Sequence, residues 1–236
     1  MKVSLVIPVL NEIEGMKVIM PQIKREWVDQ ILFIDGQSTD GTLDYIKEHG
    51  YEYVIQKKKG MRNAYMEALP YIKGDVLLTF SPDGNSVVER IPECIAKMKE
   101  GYDMVIVSRY AQGAKSDDDD AVTGFGNWMF TNVLINLLHG ARYTDAMVIY
   151  RAYKKSLIYE LGLDKDAAYE KEERLFRTNI SWEPLLSIRA ARKKLKIAEI
   201  PGDEPARIGG ERKLQVLPWG ACFLYQTIRE IFVNKY

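Results

Sequence analysis

The run Val3-Ser4-Leu5-Val6-Ile7-Pro8-Val9-Leu10-Asn11-Glu12 decides the fold. Its first seven residues are apolar apart from Ser4, and a strand covered on both faces of a parallel sheet reads as such a run rather than as an alternation. Asn11-Glu12 marks its carboxyl end. Outward from it, the pattern predicts a helix over 14–26 and a strand over 30–34 that ends at Asp35-Gly36. Ser38-Thr39-Asp40-Gly41-Thr42 supplies turn and capping residues for a helix to about residue 48. A short strand at 53–56, a helix at 60–69 and a strand at 75–80 follow, the last running into the turn Ser81-Pro82-Asp83-Gly84-Asn85. A helix at 91–99 and a strand at 104–107 complete the series. This alternation predicts an α/β fold: a mostly parallel, open sheet with helices on both faces, in a single domain.

After Arg109 the pattern changes. Residues 111–120 form a polar loop ending in Asp117-Asp118-Asp119-Asp120, which reads as a solvated charge run. An apolar helix punctuated by asparagines covers 125–138, an amphipathic helix 184–194 and a strand 196–200; residues 202–213 form a basic loop. The tail beyond 214 is apolar and aromatic. It fits an interfacial helix, and it fits equally a helix packed on its own core or on a second copy in a homodimer.

With 236 residues, 47% of them hydrophobic, the chain can bury one large core. Lys+Arg and Asp+Glu are 33 each, so no global positive field points to nucleic acid. Two cysteines, Cys94 and Cys222, build neither a disulfide framework nor a four-thiolate zinc site, and they agree with a reducing, cytoplasmic setting. Two histidines exclude a three-His metal centre. The chemistry therefore falls to carboxylates, bases and a bound ion. The uncharged stretch 121–141 carries Gly124, Gly126, Asn127, Asn132 and Asn136, against a membrane span. The tail adds at most peripheral contact with the cytoplasmic face of a membrane.

Open α/β sheets bind ligands beyond the carboxyl ends of their strands. Asn11-Glu12, Asp35, Asp83 to Asn85 and Ser108-Arg109 all fall there, and their convergence points to a nucleotide-binding crevice. Lys57-Lys58-Lys59, with Arg62 behind, reads either as a solvated face or as placing Lys59 or Arg62 on the nucleotide.

These residues carry a resemblance. The opening Val3 to Pro8 with Asn11-Glu12, then Asp35-Gly36 and Ser38 to Thr42, resembles family-2 glycosyltransferases of the GT-A fold, which take a sugar from a nucleotide-sugar. Gly74-Asp75, Asp83, Glu89, Ile91-Pro92, Ser108-Arg109-Tyr110, Asp145, Tyr150-Arg151-Ala152-Tyr153, Arg207, Gly210 and Lys213 extend the likeness. The longer set is most similar to the dolichyl-phosphate mannose synthase and polyprenyl-phosphate glycosyltransferase branch. It implies a GT-A domain over 1–213, with a nucleotide-binding half at 1–110 and an acceptor and loop half at 111–213, followed by the tail 214–236.

The resemblance implies roles residue by residue. Pro8, Glu12 and Asp35 match nucleotide-contacting positions, although the usual Asp-Asp-Gly is Asp35-Gly36-Gln37 here. The acidic Asp-x-Asp metal motif is Ser81-Pro82-Asp83, so Asp83 matches its second Asp and Asn85 falls where the branch carries a metal-facing Gln; together they would hold Mg²⁺ or Mn²⁺. The same residues also read as an ordinary Asp-Gly turn. Arg207 and Lys213 match a basic pair that closes over the donor diphosphate. Asp145 matches a carboxylate on the acceptor side, a general base for a hydroxyl acceptor, and Arg109 matches a phosphate-facing Arg for a lipid-phosphate acceptor. The expected reaction is inverting transfer to a polyprenyl phosphate, with a glycan or protein hydroxyl as the alternative acceptor. A nucleotidyltransferase and a non-catalytic nucleotide-sugar-binding protein are the other readings; against the former, the segment after the first strand is acidic rather than Gly- and Arg-rich.

Overall fold

The computed structural model describes residues 1–118, 121–209 and 216–236. Its strands are β1 (Val3–Val9), β2 (Gln30–Asp35), β3 (Glu52–Ile55), β4 (Val76–Thr79), β5 (Met104–Ser108), β6 (Arg151–Lys154) and β7 (Ile197–Pro201). They form one sheet in the order β3-β2-β1-β4-β6-β5-β7. Neighbours run parallel except around β6, which is antiparallel to both β4 and β5. Helices α1 (Ile13–Ile19), α2 (Thr42–Glu48), α3 (Met61–Ala68) and α4 (Arg90–Lys99) alternate with the first five strands. In the second half come α5 (Ala121–Trp128), α6 (Leu137–His139), α7 (Ser156–Glu160), α8 (Glu170–Phe176), α9 (Glu183–Arg192) and α10 (Val216–Arg229).

Burial explains the apolar opening run. Leu5, Ile7 and Val9 join a core on one face of the sheet with Phe33, Leu78 and Val105. Val6 joins the other core with Leu32, Ile34, Leu77 and Met104. Ser4, the polar exception, is fully buried and satisfied: its hydroxyl donates to Gln30 Oε1 at 2.6 Å and accepts from the Gly74 amide at 2.9 Å.

The structure departs from the sequence reading at several points, α7 and α8 among them, for which no helix is predicted. The helix expected over 14–26 stops at Ile19, because Pro21 lacks an amide hydrogen and starts a 3₁₀ turn, Met20–Gln22, instead. The helix at 125–138 begins at Ala121 and continues from α5 through a π-helical stretch, Met129–Asn136, into α6. Strand β6 was not anticipated. Four residues are too few to show a period, yet Arg151, Ala152 and Tyr153 are all buried between β4 and β5.

The tail belongs to the core. Helix α10 packs on α8, α9 and the 129–136 stretch, burying Cys222, Phe223 and Gln226. Beneath it lies an ion network: Arg189 grips both oxygens of Glu230 at 2.9 Å, and Arg229 pairs with Glu172 at 2.6 Å and with Glu230 at 2.8 Å. Gln226 donates to Glu172 at 3.3 Å. The second half is interlocked with the first as well, since β6 lies between two strands of residues 1–110.

Candidate functional site

Pairing of β4 with β1 ends at Val6, so beyond that point β1 runs on with a free flank. Pro8 sits there, where its missing amide hydrogen removes no ladder bond on the β4 side. The chain then turns through Asn11, whose φ is 56°, to Glu12, whose amide donates to Thr42 Oγ1 at 3.0 Å. Its carboxylate is buried at the start of α1.

Asp35 ends β2 fully buried. Its carboxylate accepts the amides of Gln37 at 3.0 Å and Ser38 at 3.2 Å, closing the turn that leads to α2. Gln37 adopts φ 67°, a left-handed conformation that glycine takes without penalty, and its side chain donates to Gln56 O at 3.0 Å. The departure from the usual Asp-Asp-Gly is thus accommodated by strain offset by one hydrogen bond.

The turn after β4 is held from two sides. A Cβ on Gly15 would lie 2.4 Å from Pro82 O, so α1 abuts the turn directly. On the other side, Ile208 donates its amide to Asp83 O at 2.7 Å, and Gly84, at φ 89°, leaves room for the Ile208 side chain. Asp83 Oδ1 accepts the Asn85 amide at 3.3 Å. Into this turn reaches Arg207, with Nη1 2.9 Å from Asp83 Oδ2 and 3.9 Å from Glu12 Oε1. Nη2 lies 4.0 Å from Asp118 Oδ2, which also accepts from Asn85 Nδ2 at 3.4 Å. Asp118 was expected in solvent; the structure turns it inward.

A second charged group lies at the end of β5. Arg109 grips Asp145 with Nε–Oδ2 2.7 Å and Nη2–Oδ1 3.2 Å, and its Nη1 reaches Glu204 at 3.3 Å. Asp145 is fully buried and accepts the amides of Met147 at 3.3 Å and Val148 at 3.2 Å. Glu199, on which the sequence reading is silent, and Arg151, quoted above only as part of the Tyr150-Arg151-Ala152-Tyr153 likeness, hold this loop. Glu199 accepts the amides of Thr144 and Asp145, and burial pushes its carboxyl above the ordinary range despite those donors. Arg151, wholly buried, donates to Ala146 O and Val148 O and to Ser187 Oγ. Burial lowers its pKa, and among the described residues no carboxylate hydrogen-bonds it. Glu204 is one of three acidic residues, with Asp203 and Glu211, in the loop 202–213; Glu199 offered only a strand pattern.

The expected site residues thus fall into groups. Glu12, Asp83, Asn85 and Arg207 come together at the carboxyl ends of β1 and β4, and Arg109 pairs with Asp145 across β5. Arg62 does not join them. Its guanidinium pairs with Asp166 at 2.7 Å and Glu173 at 3.7 Å and stacks on Tyr169 at 4.4 Å, so α3 points it toward the second half of the chain. Lys213 lies outside the described residues.

Among the described residues, no three His, Cys, Asp or Glu side chains are gathered for a metal ion. The donor chemistry nonetheless fits a hard cation: carboxylate oxygens of Asp83, Asp118 and Glu12 face one positive group, the Arg207 guanidinium, which stands where such an ion would be neutralised, and the Asn85 amide lies beside Asp118.

A mostly parallel sheet with acidic groups and Arg207 at its carboxyl edge defines an α/β protein of the GT-A class. The chain belongs to glycosyl transferase family 2, whose pattern matches residues 4–162. It is 26% identical over 238 residues to glycosyltransferase AglJ of Haloferax volcanii, covering 99% of this chain and 73% of that one. To dolichol-phosphate mannosyltransferase of Pyrococcus furiosus it is 28% identical over 225 residues, covering 91% and 60%. To undecaprenyl-phosphate 4-deoxy-4-formamido-L-arabinose transferase of Enterobacter sp. it is 28% identical over 228 residues, covering 90% and 62%. The chain therefore spans less than two thirds of the length of the latter two relatives. Its fold is shared with glucosyl-3-phosphoglycerate synthase from Mycobacterium tuberculosis, solved with Mn²⁺, UDP-glucose and phosphoglyceric acid: TM-score 0.63 and 18% identity, over 99% of this chain and 81% of that one.

Proposed function

We propose that this protein is a divalent-metal-dependent, inverting glycosyltransferase that moves a sugar from a nucleotide-sugar onto a polyprenyl phosphate. The family supports glycosyl transfer, and the names of two relatives specify dolichol phosphate and undecaprenyl phosphate. The observation that carries the acceptor class is the Arg109–Asp145 fork. A general base needs a lone pair within reach of the acceptor proton. Asp145 is fully buried, with both oxygens engaged by Arg109 and backbone amides. A hydroxyl acceptor would find no base there, whereas a phosphate is already an anion and needs none.

Under this reading, Asp145 is a positioning residue that orients Arg109 toward the acceptor phosphate. Asp83 and Asn85 would hold Mg²⁺ or Mn²⁺, which when bound neutralises charge on the departing diphosphate. Glu12 and the backbone of the Asp35 turn border the nucleotide, and Arg207 closes over the diphosphate from the 202–209 loop, excluding water. The test is transfer of labelled sugar from UDP- or GDP-sugars into an organic-extractable product with undecaprenyl or dolichyl phosphate. Arg109→Lys keeps the charge and loses the fork, and should lower kcat/KM for the lipid phosphate on the order of 10²-fold through misplacement. Transfer to glycan or peptide hydroxyls alone would overturn the acceptor assignment.

No helix among the described residues is long and apolar enough to cross a membrane. Contact with a membrane surface would instead use the outer faces of α5–α6 and α10, which expose Phe125, Trp128 at 53%, Leu137 at 75%, Ile228 and, just past α10, Phe232 at 77%. The two helices touch: Phe130 meets Phe223 edge-on, and His139 Nε2 bonds Thr227 O at 3.0 Å. Removing the tail would disrupt the core, so surface changes are the better probe. Trp128→Ser with Phe232→Ser should weaken sedimentation with anionic vesicles by about tenfold or more, since each buried aromatic contributes roughly 1.5–3 kcal/mol. Unchanged sedimentation would remove this surface from the reading.

A further inference from the structure

The turn after β4 offers one carboxylate where the family pattern has two, because Ser81 stands in the first acidic position. A divalent ion facing a single carboxylate and an amide is only half neutralised before any phosphate arrives. The missing charge is present nearby, on a different segment. The loop 111–118 is zipped to the loop 202–209: Ser116 bridges Glu204 in parallel register, Glu204 donates its amide to Lys115 O at 2.8 Å, and the Asp117 amide donates to Glu204 O at 2.8 Å. The Lys115 amide adds a bond to Asp203 Oδ1 at 2.9 Å. This pairing delivers Asp118 to the turn while Asp117 stays exposed.

Asp118 then faces both elements of the donor site. Its Oδ2 takes a hydrogen bond from Asn85 Nδ2 and lies 4.0 Å from Arg207 Nη2, while Nη1 of the same guanidinium holds Asp83 at 2.9 Å. Asp83 and Asp118 thus flank one cation, with Glu12 3.9 Å from it on the side of Asp83. Its side chain is 18% exposed, a setting far from that of a solvated charge run. We infer that Asp118 is the second acidic ligand of the donor-site cation, replacing the carboxylate absent at Ser81, and that Arg207 holds that cation's place until it arrives. The inference rests on the metal-dependent reading above. It accounts for the absence of a ready-made metal cluster among the described residues: a guanidinium lies between the carboxylates. Asp83, Asp118 and the side-chain oxygen of Asn85 would hold the ion in place of the guanidinium, leaving Arg207 free to meet the donor diphosphate.

The test is Mn²⁺ binding without nucleotide, read as loss of the free-ion electron paramagnetic resonance signal, on the intact chain. Arg207→Gln removes the competing cation and should tighten Mn²⁺ binding; Asp118→Asn should weaken it about tenfold or more. Asp117→Asn should leave it unchanged. The deciding measurement is Asp118→Asn in the Arg207→Gln background. If Asp118 only anchors Arg207, the second substitution changes nothing there, and the inference is overturned; a further loss of affinity supports it. Asp83→Asn separates the two levels of argument: Mn²⁺ binding unaffected by it removes the metal-dependent reading itself, whereas loss with Asp83→Asn but not with Asp118→Asn removes this inference alone.

Discussion

Asp83→Asn is expected to yield a folded protein whose turnover of nucleotide-sugar falls on the order of 10²–10³-fold, with metal-dependent nucleotide binding lost. The size follows from what the group does. Charge that develops on a departing diphosphate is stabilised by preorganised positive groups, and removing one such element typically costs that factor. Asp83 holds the site's cation whichever occupies it, the Arg207 guanidinium in this structure and a divalent ion under the proposed function. The substitution is nearly isosteric, and the turn's main-chain bonds, Ile208 N–H to Asp83 O and Asn85 N–H to Oδ1, remain possible for an amide. Fold and function should therefore separate: a modest fall in thermal unfolding, because the Arg207 partner is partly exposed and can turn to water, beside a collapse in Mn²⁺-dependent shift by UDP or GDP, since a ligand that binds only the native state raises its apparent stability. Retention of the ligand-induced shift, with and without Mn²⁺, would contradict the role given to Asp83.

The second large effect concerns stability rather than chemistry. Glu230→Gln should destabilise the protein by about 3–5 kcal/mol, the range found when one partner of a buried ion pair is removed. Glu230 is fully buried between Arg189 and Arg229 and is held ionised, its carboxyl kept below the ordinary range by the Arg189 guanidinium against the opposing effect of burial. Glutamine takes away the one charge opposite Arg189 and leaves it the carbonyls of Leu161 and Gly162, the Tyr236 ring and at most a neutral amide oxygen. Arg229 keeps Glu172, so the loss falls mainly on Arg189. For a chain of this size, 3 kcal/mol corresponds to a drop of about 6–12 °C in Tm. A change below about 1 kcal/mol would mean that α10 is held by its apolar contacts alone.

Much of the architecture could be read before any coordinates because it is written in local periods. The apolar run of β1 has two buried faces, and the polar residues that end β1, β2, β4 and β5 mark the crevice edge. What could not be read depends on contacts between distant segments. Strand β6 has only four residues and begins with a charged one, and its place is set by β4 and β5 rather than by its own pattern. Arg62 lies in the right stretch of sequence for a nucleotide ligand, but a helix start fixes a position and not a direction; Asp166 and Tyr169, about a hundred residues on, decide where it points. Asp118 is the converse. A charge run is solvated by default, and only the pairing of its loop with Glu204 brings one member inward.

The place of β6 also bears on how the chain must be made. Strands β4 and β5 are both finished by residue 108, yet neither gains its β6 partner until residues 151–154 have been synthesised. Until then two apolar, four- and five-residue edges stand unpaired in the middle of the nascent sheet, a template for wrong pairing. A fragment ending near residue 110 would carry every strand-end residue of β1, β2, β4 and β5 and still have a gap in its sheet. Synthesis from the N-terminus therefore leaves this protein incomplete at its centre rather than at its periphery, and closure waits on a strand that arrives late.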